Sequence, residues 1–153
     1  MAHYLAQFNI ARFRTYREDP ALADFFAGID VVNALAEASE GFVWRMKDED
    51  GDSDSRITAD ERLVANLSVW TDIEALKRFS YRSEHSAYFR RRKEWFERME
   101  EASYVLWWIP VDHTPSLTEA MDRLETLRKE GAGPEAFTFS TPHPAPTIIT
   151  QAA

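Results

Sequence analysis

The sequence contains no cysteine among its 153 residues. This absence excludes disulfide bonds, metal or iron–sulfur sites that depend on thiolate ligands, and a cysteine nucleophile. Glycine and proline are scarce, with five and seven residues, and no glycine-rich phosphate-binding loop occurs. The Ser-x-x-Lys and Gly-x-Ser-x-Gly motifs of serine enzymes are missing as well. The commonest nucleotide-binding and serine-hydrolase classes are therefore excluded.

Basic residues are fewer than acidic ones: the chain has 18 Lys and Arg and 26 Asp and Glu, which gives a net charge of −8. An acidic chain repels the phosphate backbone, so we expect no nucleic-acid partner. The sequence starts without a secretory signal and has no apolar run long enough for a bilayer, so we expect a cytoplasmic protein with no membrane partner. Its histidines, at positions 3, 85, 113 and 143, lack metal-ligand spacing, so no metal site is expected.

Aromatic residues are abundant at 13%, and hydrophobic residues make up 44% of the chain. A chain of this length buries about 68–70% of its unfolded surface, which allows a stable core without cross-links. No linker or low-complexity tract interrupts the sequence. We therefore expect a single domain over residues 1–142 and a partly disordered tail over residues 143–153.

The hydrophobic periodicity predicts an alternation of strands and helices. We expect strands at 3–11, 42–47, 62–70 and 104–109, and helices at 20–39, 71–79, 83–99 and 116–131. Asp19 before Pro20 supplies an N-cap, Gly41 ends the first helix, and residues 71–74 and 116–119 match capping boxes. The order predicts an α+β fold, the ferredoxin-like β-α-β-β-α-β unit, with an extra C-terminal helix.

An acidic, aperiodic segment at 48–60 predicts a loop between the second and third strands. Asp50, Asp52, Asp54 and Glu61 have the spacing of calcium ligands. However, Ser55 stands where a calcium loop needs glycine, and strands rather than helices flank the segment. A solvated hairpin loop is the favoured interpretation.

Alternation along the strands predicts a sheet with two different faces. One face is uniformly apolar, whereas polar residues interrupt the other, the mixed face, at Gln7, Asn9, Arg45, Asn66 and Ser68. In the second strand, the alternation groups Val43 with Arg45 on the mixed face and Phe42 with Trp44 on the apolar face. The polar set is rich in amides and poor in charges, which favours partial burial or a ligand cavity.

Two helices place polar residues on their apolar stripes. In the predicted helix 83–99, Arg92 follows His85 by two helical turns, so both are expected to face inward. Asn33 is expected to face inward from the first helix. These residues would enclose a polar pocket over the mixed face, with Trp70 and Trp95 as its walls. The alternative is a structural core in which the inward polar groups satisfy one another.

The proposed pocket has the residue types of an acid–base site. His85 is the candidate general acid or base, and Arg92 the candidate stabiliser of an enolate or phenolate. The candidate substrate-binding residues are Asn9, Asn33, Arg45, Asn66, Trp70 and Trp95. Amides orient oxygen atoms and indoles stack on planar rings. The set suits cofactor-independent oxygenation, or isomerisation or cyclisation, of an aromatic or polyketide-type metabolite.

Segments along nearly the whole chain together resemble a known family. They are Ala-Gln-Phe-Asn-Ile-Ala-Arg at 6–12, Gly-Phe-Val-Trp-Arg at 41–45, Leu-Ser-Val-Trp at 67–70, Tyr-Arg-Ser-Glu-His at 81–85, Arg-Arg-Arg-Lys-Glu-Trp-Phe at 90–96, Leu-Trp-Trp-Ile-Pro at 106–110, His-Thr-Pro at 113–115 and Ala-Phe-Thr-Phe at 136–139. This combination resembles the family called domain of unknown function 3291. That family is similar to the dimeric α/β-barrel superfamily, which includes the antibiotic-biosynthesis monooxygenases.

The resemblance implies a dimeric α/β barrel in which two ferredoxin-like subunits pair their sheets, with a small-molecule pocket between the sheet and the helices of each subunit. A homodimer joined through the apolar face would account for two covered sheet faces. The superfamily includes cofactor-free oxygenases, isomerases, haem enzymes and non-enzymatic proteins. The alternative function is therefore a non-enzymatic ligand- or haem-binding protein. We expect no cofactor; if haem binds, His85 or His113 would be its axial ligand.

Overall fold

The computed structural model describes residues 2–47 and 61–146 of the chain, without the side chains of Ser83, Glu84, His85 and Tyr88. The strands are β1 (His3–Arg12), β2 (Phe42–Arg45), β3 (Leu63–Trp70) and β4 (Tyr104–Pro110). The helices are α1 (Ala23–Glu37), α2 (Ile73–Ser80), α3 (Ser83–Arg90), α4 (Arg92–Trp95) and α5 (Leu117–Glu130), with a 3-10 turn at Pro20–Leu22 before α1. The acidic loop at 48–60, with its calcium-like spacing, lies outside the described residues.

The four strands form one antiparallel sheet in the order β2-β3-β1-β4. Helix α1 connects β1 to β2, and helices α2, α3 and α4 connect β3 to β4. This is the ferredoxin-like α+β fold that the order of elements predicted, with α5 as the extra C-terminal helix. None of the helices in the described residues is long and apolar enough to span a membrane.

Helix α5 covers the apolar face of the sheet. Its Ala120 and Leu124 are fully buried against Phe8 and Trp107, which are themselves 0% exposed. The alternation along the strands thus identified the apolar face correctly. The expected cover was wrong, because the chain's own helix occupies the surface that we assigned to a second subunit.

Helices α1 and α2 cover the mixed face. Ala36 of α1 and Phe79 of α2 belong to one apolar cluster with Trp70 of the sheet. In β2, a bulge at Val43 places Phe42 opposite Trp70 on this face. The predicted alternation of β2 is therefore wrong at its start, since Phe42 and Trp44 lie on opposite faces.

The predicted long helix 83–99 is broken in two. Helix α3 ends at Arg90, α4 ends at Trp95, and Phe96 is already extended, with φ −121° and ψ 147°. The chain leaves the helix because its backbone pairs with the end of β1: Arg14 N donates to Trp95 O at 2.8 Å, and Glu97 N donates to Arg12 O at 2.8 Å. These hydrogen bonds depend on tertiary contact and have no signature in the local periodicity.

Capping residues define the starts of three helical segments. The side chains of Asp19 and Ser116 accept backbone N–H groups at the predicted positions. For α2, Asp72 rather than Thr71 is the cap, because its carboxylate accepts from Ala75 N at 2.8 Å. Gly41 lies beyond the end of α1, which is capped at Ala38, and it has a φ of +87° at the entry to β2.

After α5 the chain returns to the free edge of β4. Phe137 and Leu106 exchange backbone hydrogen bonds of 2.9 and 2.8 Å. The Phe137 side chain is 0% exposed and joins the cluster on the mixed face. The segment around Phe137 therefore pairs with the edge of the sheet at β4.

Candidate functional site

A row of polar side chains crosses the centre of the mixed face. We call Gln7, Asn9, Asn66 and Ser68 the amide strip. In the register between β1 and β3, Gln7 lies opposite Ser68 and Asn9 lies opposite Asn66. Gln7 Nε2 donates to Asn66 Oδ1 at 3.1 Å and to Ser68 Oγ at 3.0 Å. Gln7, Asn66 and Ser68 are thus joined by hydrogen bonds across two adjacent strands, and Asn9 lies beside them opposite Asn66.

The amide strip lies between two separate apolar clusters. Along β3, Trp70 belongs to one cluster and Val64 to the other, with the strip residues between them. Along α1, Ala36 belongs to the first cluster and Ile29 to the second. Asn33 lies four residues after Ile29 and three before Ala36, so it shares their face of the helix. Helix α1, through Asn33, and the sheet, through the amide strip, therefore both place amides between the same two apolar clusters.

Asn33 is 6% exposed, yet its side chain makes no hydrogen bond within the described part of the chain. A buried amide without a partner costs free energy, so such a group is normally satisfied by water or by a ligand. Gln7, Asn9 and Asn66 keep part of their surface accessible although they lie at the centre of a sheet beneath helices. These two observations make the region between α1 and the sheet the candidate ligand site.

The hydrogen bonds inside the strip determine what it offers to a ligand. Gln7 Oε1 and Asn66 Nδ2 make no hydrogen bond with the described residues. Ser68 Oγ accepts from Gln7 Nε2 and from Trp70 Nε1, each at 3.0 Å, so its own proton remains to be donated. Gln7, Asn66 and Ser68 therefore present one acceptor and two kinds of neutral donor, and the Asn9 amide adds one of each, which suits an uncharged ligand with hydroxyl and carbonyl oxygens.

The two tryptophans predicted as pocket walls have different roles. Trp70 is 1% exposed and stacks on Phe79 at 5.2 Å, and its indole N–H orients Ser68. Trp70 therefore fixes the position of the Ser68 hydroxyl at one end of the strip. Trp95 is also 1% exposed but packs against Phe25 in the other apolar cluster. The expectation that Trp95 lines the pocket is wrong, because the break after α4 places it in an aromatic core.

The predicted catalytic pair is separated by the break between α3 and α4 at Arg91. His85 lies in α3, which packs against α1 and α2, and its side chain is outside the described residues. Arg92 starts α4 and is exposed, with its guanidinium 4.0 Å from the ring centre of Phe89. The prediction that Arg92 faces inward on one continuous helix is therefore wrong, whereas the placement of His85 on a helix is confirmed.

Arg45 is engaged in an ion pair at the edge of the mixed face. Its Nε lies 3.0 Å from Glu37 Oε2, which also lies 3.2 Å from Lys47 Nζ. The hydrogen bond from Lys47 lowers the pKa of Glu37, burial opposes this effect, and Arg45 adds to it. Arg45 thus joins β2 to the end of α1, and a substrate would have to compete with Glu37 for it.

A second polar group lies at the start of α5. His113 Nε2 is 2.6 Å from Glu119 Oε1, and Trp107 Nε1 donates to Glu119 Oε2 at 2.9 Å. These contacts attach the loop after β4 and the core tryptophan to the first turn of α5, as expected for a structural His113. Because Nε2 is bound to Glu119, that nitrogen is not available to a haem iron in this arrangement.

Acid should weaken this contact. Burial of Glu119 raises its pKa, but hydrogen bonds from His113 and Trp107 outweigh burial and hold the pKa below its ordinary value of 4.5. The contribution of Glu119 to stability is thus present above pH 4.5 and is lost as the pH falls through the lowered pKa of the folded state.

We expect wild type to be more stable than Glu119→Gln near neutral pH, and the difference to shrink in acid. Urea unfolding at about pH 6 and about pH 3 measures it, and an unchanged difference would contradict the prediction.

No group of three or more potential metal ligands occurs in the residues that the structure describes. Two residues of the strip, Gln7 and Ser68, were not among the predicted site residues, although strand alternation placed them on the mixed face. Their hydrogen bonds to Asn66 and Trp70 identify them as part of the site. Gln7 and Ser68 lie opposite one another in the sheet. This pairing follows from the strand register, which the sequence alone does not give.

Comparison with protein families matches one family model. The model described as domain of unknown function, DUF3291, matches residues 4–153. No curated protein sequence matches the chain.

Several solved structures are similar in fold. A conserved protein from Methanosarcina mazei Go1 is 10% identical, with a TM-score of 0.51 over 71% of this chain and 92% of its own. An asparagine-to-alanine variant of SnoaB, a cofactor-independent oxygenase from Streptomyces nogalater, is 14% identical, with a TM-score of 0.50 over 72% of this chain and 95% of its own. PA3566 from Pseudomonas aeruginosa is 12% identical, with a TM-score of 0.48 over 75% of this chain and 98% of its own. At these identities the similarity concerns the fold alone.

Proposed function

The chain belongs to the DUF3291 family, and we propose that it is a small-molecule enzyme whose substrate binds in the cleft between α1 and the amide strip. The observation that carries the proposal is Asn33, a buried amide without a partner in the described chain, opposite a row of amides with free donors and acceptors. The apolar clusters on both sides of the strip suit a planar hydrophobic substrate. Its class is an aromatic or polyketide-type compound with hydroxyl and carbonyl oxygens.

The charge of the site supports a neutral substrate. No Lys, Arg, Asp or Glu belongs to the strip, and the nearest charged pair on the mixed face, Arg45 with Glu37, is already formed. A permanently charged ligand would leave its charge unpaired among amides and apolar rings, which is costly. A phenol or enol avoids that cost in the ground state and gains from the N–H and O–H donors when it loses a proton.

The proposed chemistry starts with proton removal from the bound substrate. His85 is the proposed base, because α3 packs against the helices over the mixed face and imidazole exchanges protons near neutral pH. Asn66 Nδ2 and the Ser68 hydroxyl would stabilise the resulting enolate. In the oxygenase form, the carbanion passes electrons to dioxygen; a methylene becomes a carbonyl, one oxygen enters the product and the other leaves as water. In the isomerase form, the proton returns at another carbon; in the cyclase form, the enolate carbon bonds to a carbonyl carbon of the same substrate, and the oxygen of that carbonyl takes up the proton.

The cofactor-independent oxygenase in the comparison shares the fold at 14% identity, which is consistent with this chemistry without assigning it. The homodimer that the resemblance implies stays a prediction, and it needs a surface other than the apolar face as long as α5 covers that face. The alternative function, ligand binding without turnover, uses the same cleft and leaves His85 without a catalytic role.

Replacement of Asn66 by leucine should remove activity while leaving the fold intact. The substitution keeps the size of the side chain but removes the Nδ2 donor and the acceptor for Gln7. With 1,8-dihydroxyanthrone as the probe, we expect a loss of about 100-fold in kcat/KM, the usual effect of losing one donor to a developing oxyanion. Oxygen consumption and the absorbance of the anthraquinone product measure turnover, and quenching of tryptophan fluorescence measures binding.

Thr118→Val on the exposed side of α5 is the matched control, since it removes a polar group on the opposite side of the sheet. Binding without turnover would favour the non-enzymatic alternative. If Asn66→Leu turns over the probe as fast as wild type does, the cleft is not the site. Full activity in His85→Ala would remove His85 from the proposal but leave the cleft in place.

A further inference from the structure

We propose that the surface around Trp108 at the end of β4 recognises extended segments with alternating prolines, and that the chain's own tail occupies this surface as an internal competitor. The partner is therefore a protein segment of the Pro-x-Pro-x-Pro type. The inference concerns the surface at the β4 edge and does not depend on the function proposed for the cleft.

The tail segment has a conformation that its sequence sets almost completely. Residues 141–146 read Thr-Pro-His-Pro-Ala-Pro, so each residue either is a proline or precedes one. Proline fixes its own φ, and the residue before a proline is restricted to the β or polyproline II region. Polyproline II chains have no internal hydrogen bonds, so their carbonyl groups are free to accept from a partner. Little entropy is lost when such a segment binds.

The described contact has the elements of polyproline recognition. Trp108 Nε1 donates to the backbone carbonyl of His143 at 2.9 Å. The His143 ring lies 5.7 Å from the ring of Phe137, which in turn lies 6.4 Å from that of Trp108. An indole N–H that binds the carbonyl between two prolines, beside further aromatic rings, has the donor and the aromatic surface of proline-binding grooves, and here the ring seated on that surface is that of His143. The surface around Trp108 contacts a backbone carbonyl and a ring of the bound segment. A segment of another chain with the same spacing of prolines therefore fits this surface.

The tail leaves part of this surface open. A depression of about 380 Å³ is lined by the end of the described tail, at Ala145 and Pro146, by Trp108, and by His3, Thr71 and Asp72. Pro142, Pro144 and Pro146 all remain exposed. The internal contact is therefore shallow: in the described residues 142–146 it consists of the hydrogen bond from Trp108 and of ring contacts. Such a contact exchanges readily with a competing segment.

The test uses the full chain and a peptide with the sequence of residues 140–146, labelled with fluorescein. In the triple variant Pro142→Ser, Pro144→Ser and Pro146→Ser the internal competitor loses its fixed conformation. We expect this variant to bind the peptide at least about ten-fold more tightly than wild type does, measured by fluorescence anisotropy. A peptide with serine at the three proline positions should not bind. Adding Trp108→Phe should weaken binding about five-fold, the usual effect of one lost hydrogen bond.

Trp44→Phe in the same triple variant is the matched control, because Trp44 packs on the opposite face of the sheet. Circular dichroism shows that each variant is folded. Equal binding of the proline and serine peptides would overturn the proposal, as would equal binding by wild type and the triple variant. A wild-type dimer that separates in the triple variant would show that the occupant is the tail of a second copy, which would also overturn it.

Discussion

Leu124→Asp should lower the stability of the protein by more than about 4 kcal/mol, because it places a charge in a fully apolar interface. Leu124 is 0% exposed at the centre of the contact between α5 and the sheet. Domains of this size have a total stability of about 5–15 kcal/mol, so the variant should be close to unfolding at ambient temperature. Thermal unfolding followed by circular dichroism should show a midpoint lowered by at least about 10 °C.

The same variant tests which structure covers the apolar face. Thr118→Asp is the control, since Thr118 is exposed in the first turn of α5, where an acidic side chain is favourable. If α5 covers the face, wild type needs no partner there, and Leu124→Asp is severely destabilised. A wild type that is dimeric in light scattering, together with a Leu124→Asp variant that melts like wild type, would show that a second copy covers the face instead.

Phe137→Ala should cost about 3–5 kcal/mol, the usual range for removing a fully buried phenylalanine. The ring is 0% exposed and packs beside Trp108, while its backbone pairs with Leu106 at the edge of β4. The substitution leaves a cavity beneath the tail and removes a ring that supports His143. We expect a melting temperature lowered by roughly 10 °C and faster exchange of the Leu106 amide hydrogen.

Phe89→Ala is the control for this prediction, because Phe89 is 53% exposed on α3. It should change stability by less than about 0.5 kcal/mol, as surface substitutions usually do. Hydrogen exchange distinguishes local from global effects: release of the tail alone accelerates exchange at Leu106 and spares the amides between β1 and β3. A Phe137→Ala variant with wild-type stability would contradict the packing of the tail against β4.

The candidate site was predictable where it depends on short periodicity. Strand alternation placed Asn9 and Asn66 on the mixed face, and helical spacing turned Asn33 inward; the structure pairs Asn9 with Asn66 in the sheet and buries Asn33 on α1. The prediction of an inward position failed for Arg92, which is exposed at the start of α4, whereas Trp95 is buried as expected but packs in the aromatic cluster with Phe25. Whether a helix continues depends on whether its backbone finds partners elsewhere, and here the end of β1 provides them.

The sequence by itself determined the order of elements and the two kinds of sheet face, because these follow from side-chain periodicity. Only the tertiary structure decided what covers each face. An apolar strand face is equally well buried by a second subunit or by the chain's own helix, since burial depends on the area removed from water and not on its source. Here α5 returns to cover that face, and the tail closes the edge at β4.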